Sequence, residues 1–301
     1  MRVTASSSST TRVVSFNTLA QVYCKSDFFP WAPKAVTRWK NRFTALCDYL
    51  DATKFDIAAL QEVDNFNTQW LPYAKKNKYG SHYVQRTQAT NAKKDGSCVL
   101  WRDAAFELVS TRALEYNALA DAIPVSGDAE GAEGTEADPA KRYIRDCVAN
   151  LTLLRQKSDG AEVLVACTHI YWDPACADVK LAQTKMLLEV AEQFRAERQE
   201  LTKKKVHFIC AGDFNSMPTS DVYQALGANL RSVSQGCEPA YTNVTPSFTE
   251  CIDYIFVSSD VNVVNVQEQP SRESLGEGLP NASHPSDHLP VIADIQFMCA
   301  P

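Results

Sequence analysis

The 301-residue chain has no excess of basic side chains: 30 Lys and Arg stand against 36 Asp and Glu, a formal net charge of −6. The basic footprint common among proteins that grip long duplexes is therefore missing. That weighs against tight duplex binding, but not against a few nucleotides held in a cation-lined cleft, where bound ions reverse the local field. Ten cysteines are present, yet none stands in a CxxC pair. Several lie inside apolar runs, such as Cys167 in VLVACTH and Cys210 in HFICAGD, so they read as buried free thiols of a reducing compartment rather than a disulfide framework or zinc site. No run approaches the roughly 18 uninterrupted apolar residues of a membrane span. The opening MRVTASSSSTTRVV has no apolar signal core. Cytosol or nucleus is the expected location, without a membrane partner. No internal repeat is visible.

What is present is an ordinary globular composition, 45% hydrophobic and 22% charged, with enough apolar mass for a large core. Short β-type runs are expected at Arg12–Phe16, Asp56–Leu60, His82–Gln85, Ser97–Trp101, Phe106–Leu114, Cys147–Leu154 and Glu162–Thr168. Further runs stand at His207–Ala211, Ile252–Val257, Val261–Gln267 and Leu289–Phe297. Helices are expected at Ala35–Asp51, Pro174–Arg198 and Ser220–Leu226; in the second, Val179, Met186, Leu187, Val190 and Phe194 keep an approximate three-to-four spacing. A middle section of strand after strand does not suit a purely parallel sheet, whereas two packed mixed sheets with helices outside accommodate it. Leu119–Ala140 is acidic and almost free of large apolar groups, so it is expected to be a mobile surface loop. Residues 1–11 are expected to be disordered.

Polar residues recur at the ends of the apolar runs. Asn17 closes VVSFN, Glu62 closes DIAALQE and His169 closes VLVACTH. Asp213 and Asn215 follow FICAG, Asp253 opens IDYIFV, and Asp287 and His288 precede LPVIADI. Singly, each is more often a cap, a turn or a hydrogen-bonded structural group. Together they are carboxylates, amides and imidazoles delivered by strands to exposed loops. That is the donor set a divalent-metal phosphodiesterase needs: hard oxygens for the ion, and groups that polarise a phosphate and activate water.

The ordered series Asn17, Gln61-Glu62, Thr168-His169, Gly212-Asp213-Phe214-Asn215, Ile252-Asp253-Tyr254 and Ser286-Asp287-His288 resembles the motif set of the endonuclease/exonuclease/phosphatase superfamily, over about residues 12–297. The resemblance implies a four-layer α/β sandwich, two mixed β-sheets face to face with helices outside, in one domain over 1–301. Within the superfamily, CTHIYWDPACADVKLAQTKML is similar to the segment after the catalytic histidine in the carbon-catabolite-repression type deadenylases. AYTNVTPSFTECIDYIF resembles their substrate-contacting loop, and SFNTLAQVYC their opening. Nocturnin and angel share much of this frame.

The resemblance implies an Mg²⁺-dependent 3′-to-5′ exoribonuclease that shortens poly(A) tails and releases 5′-AMP, with Mn²⁺ an alternative and one or two ions bound. It implies metal ligation by Glu62, supported by Asn17 and Asp287, with Asp213 facing the phosphate and holding any second ion. Asp213 and Asn215 would orient the attacking water, Asp253 would hold His288, and His169 would bond a phosphoryl oxygen. Pro174 and Phe248 would abut the terminal adenine, with Asn215 adding discrimination; the bland alternatives are a first-turn proline and a core phenylalanine. The expected partner is RNA at poly(A) 3′ ends. A deadenylase complex would have to be joined without the leucine-rich repeats that such enzymes often carry. The competing reading is the same fold acting on a small nucleotide, as a 2′-phosphatase on NADPH or a 2′-5′ oligoadenylate phosphodiesterase. His82, His207 and His284 read as structural, and Lys93 and Lys94 as surface charge within reach of a phosphate.

Overall fold

The structure, a computed structural model, describes residues 9–90, 93–122 and 139–298. The first strands are β1 (Thr11–Asn17), β2 (Ile57–Val63), β3 (Tyr79–Gln85), β4 (Gly96–Arg102) and β5 (Phe106–Glu115). They continue with β6 (Val148–Gln156), β7 (Glu162–His169), β8 (Val206–Asp213) and the short β9 (Arg231–Ser232). A small hairpin, β10 (Asn243–Val244) and β11 (Thr249–Glu250), precedes β12 (Asp253–Val257), β13 (Val261–Val266) and β14 (Val291–Phe297). One six-stranded sheet runs β13-β14-β1-β2-β4-β3 and the other β5-β6-β7-β8-β12-β9. Among the described residues only β1/β2 and β7/β8 pair in parallel, so both sheets are mixed.

Alternate residues of a strand face opposite sides of its sheet. Here both sides of the central strands are covered, which is why those strands read as unbroken apolar runs instead of alternating ones. Val13, Ile57 and Ala59 pack between the sheets with Val163, Val165 and Ile209. Their neighbours Val14, Ala58 and Leu60 face outward, beneath Leu46 and Leu50 of a helix. On the far side, Leu164 and Ala166 face outward beneath Leu187, Ala191 and Phe194. The covering helices are α1 (Lys34–Thr37) and α2 (Trp39–Thr53), α3 (Leu71–Lys76), α4 (Ala177–Thr202) and α5 (Asp221–Gly227). The result is the expected four-layer α/β sandwich.

Several boundaries differ from expectation. The helix expected over Ala35–Asp51 breaks at Arg38, whose ψ of 122° is extended. The Thr37 carbonyl there accepts from Gln21 Nε2 at 3.3 Å and from Cys24 Sγ at 3.8 Å, instead of continuing the helical ladder. Pro174 opens a separate 3-10 turn, Pro174–Cys176, before α4. The segment from Phe66 to Lys76 forms a π-type turn and α3, carrying Trp70, Tyr73 and Ala74 into the core; its pattern is too short to announce a helix. Most of the 119–140 stretch lies outside the described residues, and its ends fall within 3-10 turns, Tyr116–Ala122 and Pro139–Tyr143. Residues 1–8 also lie outside, while Thr11 already starts β1. The cysteines described are all free, and seven are buried; Cys237 is exposed, contrary to the expected burial. Among the described residues no helix is long and apolar enough to cross a membrane.

Candidate active site

The two parallel pairs lie inside the two sheets, and their carboxyl ends open on the same edge. Ligand sites of open α/β sheets characteristically form there. Asn17 is the last residue of β1, His169 the last of β7 and Asp213 the last of β8. Asp253 starts β12 and stands opposite Asp213 in the antiparallel register. Glu62 sits where the β2/β4 register shifts, with φ of 55°. A bulge of this kind re-aims a side chain, and a left-handed non-glycine residue stores strain that a functional site can use.

Asn17 ties the two sheets together. Its Nδ2 donates to Glu62 Oε1 and Asp213 Oδ2, each at 3.0 Å. Its Oδ1 accepts from the Leu19 amide, so Asn17 supports the carboxylates through its nitrogen. The Ala20 amide donates to Glu62 Oε2 at 2.9 Å. Burial, then Asp287 and Asp95, push the Glu62 carboxyl up to about 8, against the bonds from Asn17 and Ala20. Burial and Asp253 likewise raise Asp213. Crowded buried carboxylates of this kind lack positive charge, and the all-oxygen set of Glu62, Asp213 and Asp287 fits a hard divalent cation. Asp213, Asp253 and His288 also offer ligand atoms within 4.8 Å of one another, although Asp253 is already committed to His288.

His288 Nδ1 lies 2.8 Å from Asp253 Oδ2, which also accepts from Thr242 Oγ1 at 2.6 Å. Burial opposes charge on the imidazole, but Asp253, Asp287 and Asp213 together raise His288 well above the ordinary histidine range. His169 goes the other way: burial first, then Arg86 and His288, push it well below that range. Arg86 Nη2 faces His169 Nδ1 at 3.5 Å, which leaves Nε2 to donate towards Asp213 Oδ2, also at 3.5 Å. One imidazole is thus held cationic and the other neutral, by environment alone. Asn215, at φ of 44°, bonds the Asp213 carboxylate through its backbone amide and turns its side-chain nitrogen to the Ile170 carbonyl.

These groups floor a cleft of about 580 Å³. Glu62, His169, Asp213, Asn215, Asp287 and His288 line it, with Phe248 on its wall. Asn17 and Asp253 are buried behind the floor. Phe248 is 44% exposed, in the turn of the β10–β11 hairpin, and is therefore not core. Pro174 does not line the cleft; it is committed to its 3-10 turn, where Asp173 caps the Ala175 amide. The hairpin is fixed to the floor by bonds from the Val244 amide to the Asp287 carbonyl and from the Leu289 amide to the Thr242 carbonyl. His82 bonds Asn150 at 2.7 Å and His207 lies 2.8 Å from Asp260, both structural. Lys93 lines the cleft.

Sequence reasoning missed Arg86 and Arg145, along with Tyr23, Tyr171 and Trp172, all of which line the cleft. Trp172 lies inside the WDP stretch, which was a usable signal; the arginines sit in loops without one. The arginine wall is held by Asp146. Its carboxylate accepts from Thr87 Oγ1, Thr90 Oγ1, Asn117 Nδ2 and the Ala89 and Thr90 amides, joining the loops after β3 and before β6. Burial opposes this charge, but the hydrogen bonds hold its carboxyl well below the usual range. A depressed folded-state value stabilises the fold above the unfolded value and is lost as pH falls through it. Asp146→Asn is therefore expected to cost about 2–3 kcal/mol at pH 7, with the gap to wild type narrowing below about pH 4. Urea melts across pH check this, and a gap independent of pH would refute it.

The Endonuclease/Exonuclease/phosphatase family matches residues 14–288. Carbon catabolite repressor protein 4 homolog 4 of Arabidopsis thaliana is 36% identical over 95% of this chain and 77% of its own length. The CCR4-Not complex 3′-5′-exoribonuclease subunit Ccr4 of Candida albicans is 29% identical over 98% of this chain, which spans only 42% of that subunit. Among solved structures, the 2′,3′-cyclic phosphatase ANGEL2 superimposes with a TM-score of 0.79 at 21% identity, covering 97% of both chains. The human nocturnin catalytic domain follows at 0.71 and 24%, covering 96% of this chain and 94% of its own. With its motif residues gathered around one cleft floor and the family matched over residues 14–288, the chain belongs to the endonuclease/exonuclease/phosphatase family.

Proposed function

We propose that the protein is a Mg²⁺-dependent 3′-to-5′ exoribonuclease that shortens poly(A) tails and releases 5′-AMP. The observation that carries this reading is the single cleft floor where Glu62, Asn17 and Asp213 meet the Asp253–His288 pair, beneath the exposed Phe248. The relatedness to Ccr4 exoribonuclease subunits supports it.

Glu62 and Asp287 would hold the cation, with Asp213 on the facing side; the ion supplies charge neutralisation at the phosphate. Mn²⁺ could take the same oxygens, and Asp213 leaves room for a second ion. Asp213, raised by burial, accepts a proton from the attacking water, which Asn215 helps orient. Cationic His288 donates to a phosphoryl oxygen that gains charge, and neutral His169 would turn its one N–H, on Nε2, from Asp213 to a second such oxygen, the use of preorganised donors that lowers a barrier most. Phe248 and Trp172, the latter 65% exposed, offer faces on which bases stack.

The test is a 5′-labelled RNA ending in about twenty adenosines, beside a uridine-tailed control, each with Mg²⁺ and with EDTA. A metal-dependent ladder that stops where the adenosines end is expected. Phe248→Ala should raise KM about 5- to 150-fold, since stacking a base contributes roughly 1–3 kcal/mol; an unchanged KM would remove Phe248 from the base site. Equal attack on both tails would keep the nuclease and remove adenine selectivity. No cleavage by folded protein would move the assignment to small nucleotides: NADPH, 2′-5′ oligoadenylates and 2′,3′-cyclic phosphates.

A further inference from the structure

Most arginines that contact carboxylates here are neutralised by them, and the cleft's Arg86 follows that rule, with Nε 2.9 Å from Asp95 Oδ2. Arg145 does not. Among the described residues no carboxylate forms an ion pair with it, and its Nε is buried without any hydrogen-bond partner. Its guanidinium lies over the Tyr171 ring, 4.8 Å from the centroid, and both residues line the catalytic cleft. Its backbone is pinned: the Arg145 and Asp146 amides both donate to Asn117 Oδ1 at 2.9 Å. A buried donor left unpaired is costly, and a planar guanidinium stacked on an aromatic ring is pre-shaped for bidentate binding of an oxyanion.

Arg86 is the arginine that stands beside the floor, its Nη2 3.5 Å from His169 Nδ1, whereas the Arg145 guanidinium packs on the Tyr171 ring. The scissile group is thus within reach of Arg86, and Arg145 offers its charge beside Tyr171 on the cleft wall.

We propose that Arg145 binds the first non-scissile phosphate, the linkage next upstream of the one cut. The inference rests on the nuclease reading above and sharpens its substrate class: a chain end of at least three nucleotides, with dinucleotides poor substrates. Arg145 contributes to binding, through a charge-assisted hydrogen bond that a neutral linkage cannot make.

The experiment is a chemical double-mutant cycle with the full chain and Mg²⁺. Wild type, Arg145→Gln and Arg145→Lys are each given an oligoadenylate, either native or carrying one neutral methylphosphonate at the linkage upstream of the scissile one. For wild type, the methylphosphonate should lower kcat/KM about 30-fold. Arg145→Gln should lose a similar factor on the native chain and almost nothing further on the modified one, with Arg145→Lys between. Wild type indifferent to the modification would overturn the inference while leaving the nuclease reading intact, and that arm does not depend on any variant folding. Additive losses would also overturn it, assigning Arg145 to the scissile phosphate or to packing. No cleavage of the native oligonucleotide by wild type would overturn the nuclease reading and this inference with it.

Discussion

Glu62→Gln is expected to lower turnover by about three orders of magnitude or more while leaving the metal-free protein about as stable as wild type. The loss follows from the carboxylate's place: it is nearly buried on the cleft floor, aimed by a bulge, and is the proposed ligand of the cation. Removing a metal's ligand removes the ion's share of transition-state charge stabilisation, several kcal/mol. Stability follows a different argument. Glu62 is crowded by Asp287 and Asp95, and hydrogen bonds from Asn17 and the Ala20 amide offset that crowding. An amide of the same shape relieves that repulsion and keeps one of the two bonds, so the losses and gains nearly cancel. Two measurements settle it together. Adding Mg²⁺ at about a hundred times its Kd should stabilise wild type by about 2.7 kcal/mol and the variant by much less. A variant with more than a tenth of wild-type kcat, or one that gains as much from Mg²⁺, would remove Glu62 from the metal site.

The architecture was legible because both faces of the central strands are buried, which writes each of them as a run such as VLVAC or HFICAG that periodicity cannot disguise. The convergence of these side chains was legible for a related reason: Asn17, His169, Asp213 and Asp253 stand at strand ends, Glu62 one residue inside the end of β2 and His288 three before β14, where polar residues interrupt or border apolar runs. What the sequence hid depends on contacts between distant segments. The break at Arg38 is made by Gln21 and Cys24 reaching the Thr37 carbonyl. The cationic wall exists because Asp146 clasps the loop after β3, some 56 to 59 residues away in the chain. Arg86 and Arg145 look like any surface arginine until that clasp is seen. Pro174 shows the opposite ambiguity: its place in the WDP stretch suggests a base contact, and its backbone geometry also suits the 3-10 turn that precedes α4.

Asp253→Asn is expected to reduce kcat about a hundredfold or more with the fold intact, because the substitution removes a charge almost without changing a shape. Asp253 Oδ2 takes both hydrogen bonds, from Thr242 Oγ1 and His288 Nδ1, while Oδ1 is buried without a partner. The Thr242 hydroxyl must donate to Asp253, since its oxygen already accepts from the Ile252 and Asp253 amides. An asparagine can therefore set its oxygen where Oδ2 was and its nitrogen where Oδ1 was. The cost is one unpaired amide nitrogen, about 1–3 kcal/mol of stability. What the amide cannot do is hold the buried imidazole cationic. In wild type, carboxylates raise His288 and keep its charge through neutral pH, to be lost only as pH rises past that raised value. In the variant the basic limb of the kcat profile should move to lower pH, because burial is then opposed by Asp287 and Asp213 alone. The double variant Asp253→Asn, His288→Gln should be no worse than the poorer single one, as for groups acting as a unit. Multiplicative losses, or a basic limb that does not move, would mean that Asp253 serves the strand pairing with Asp213 and not the imidazole.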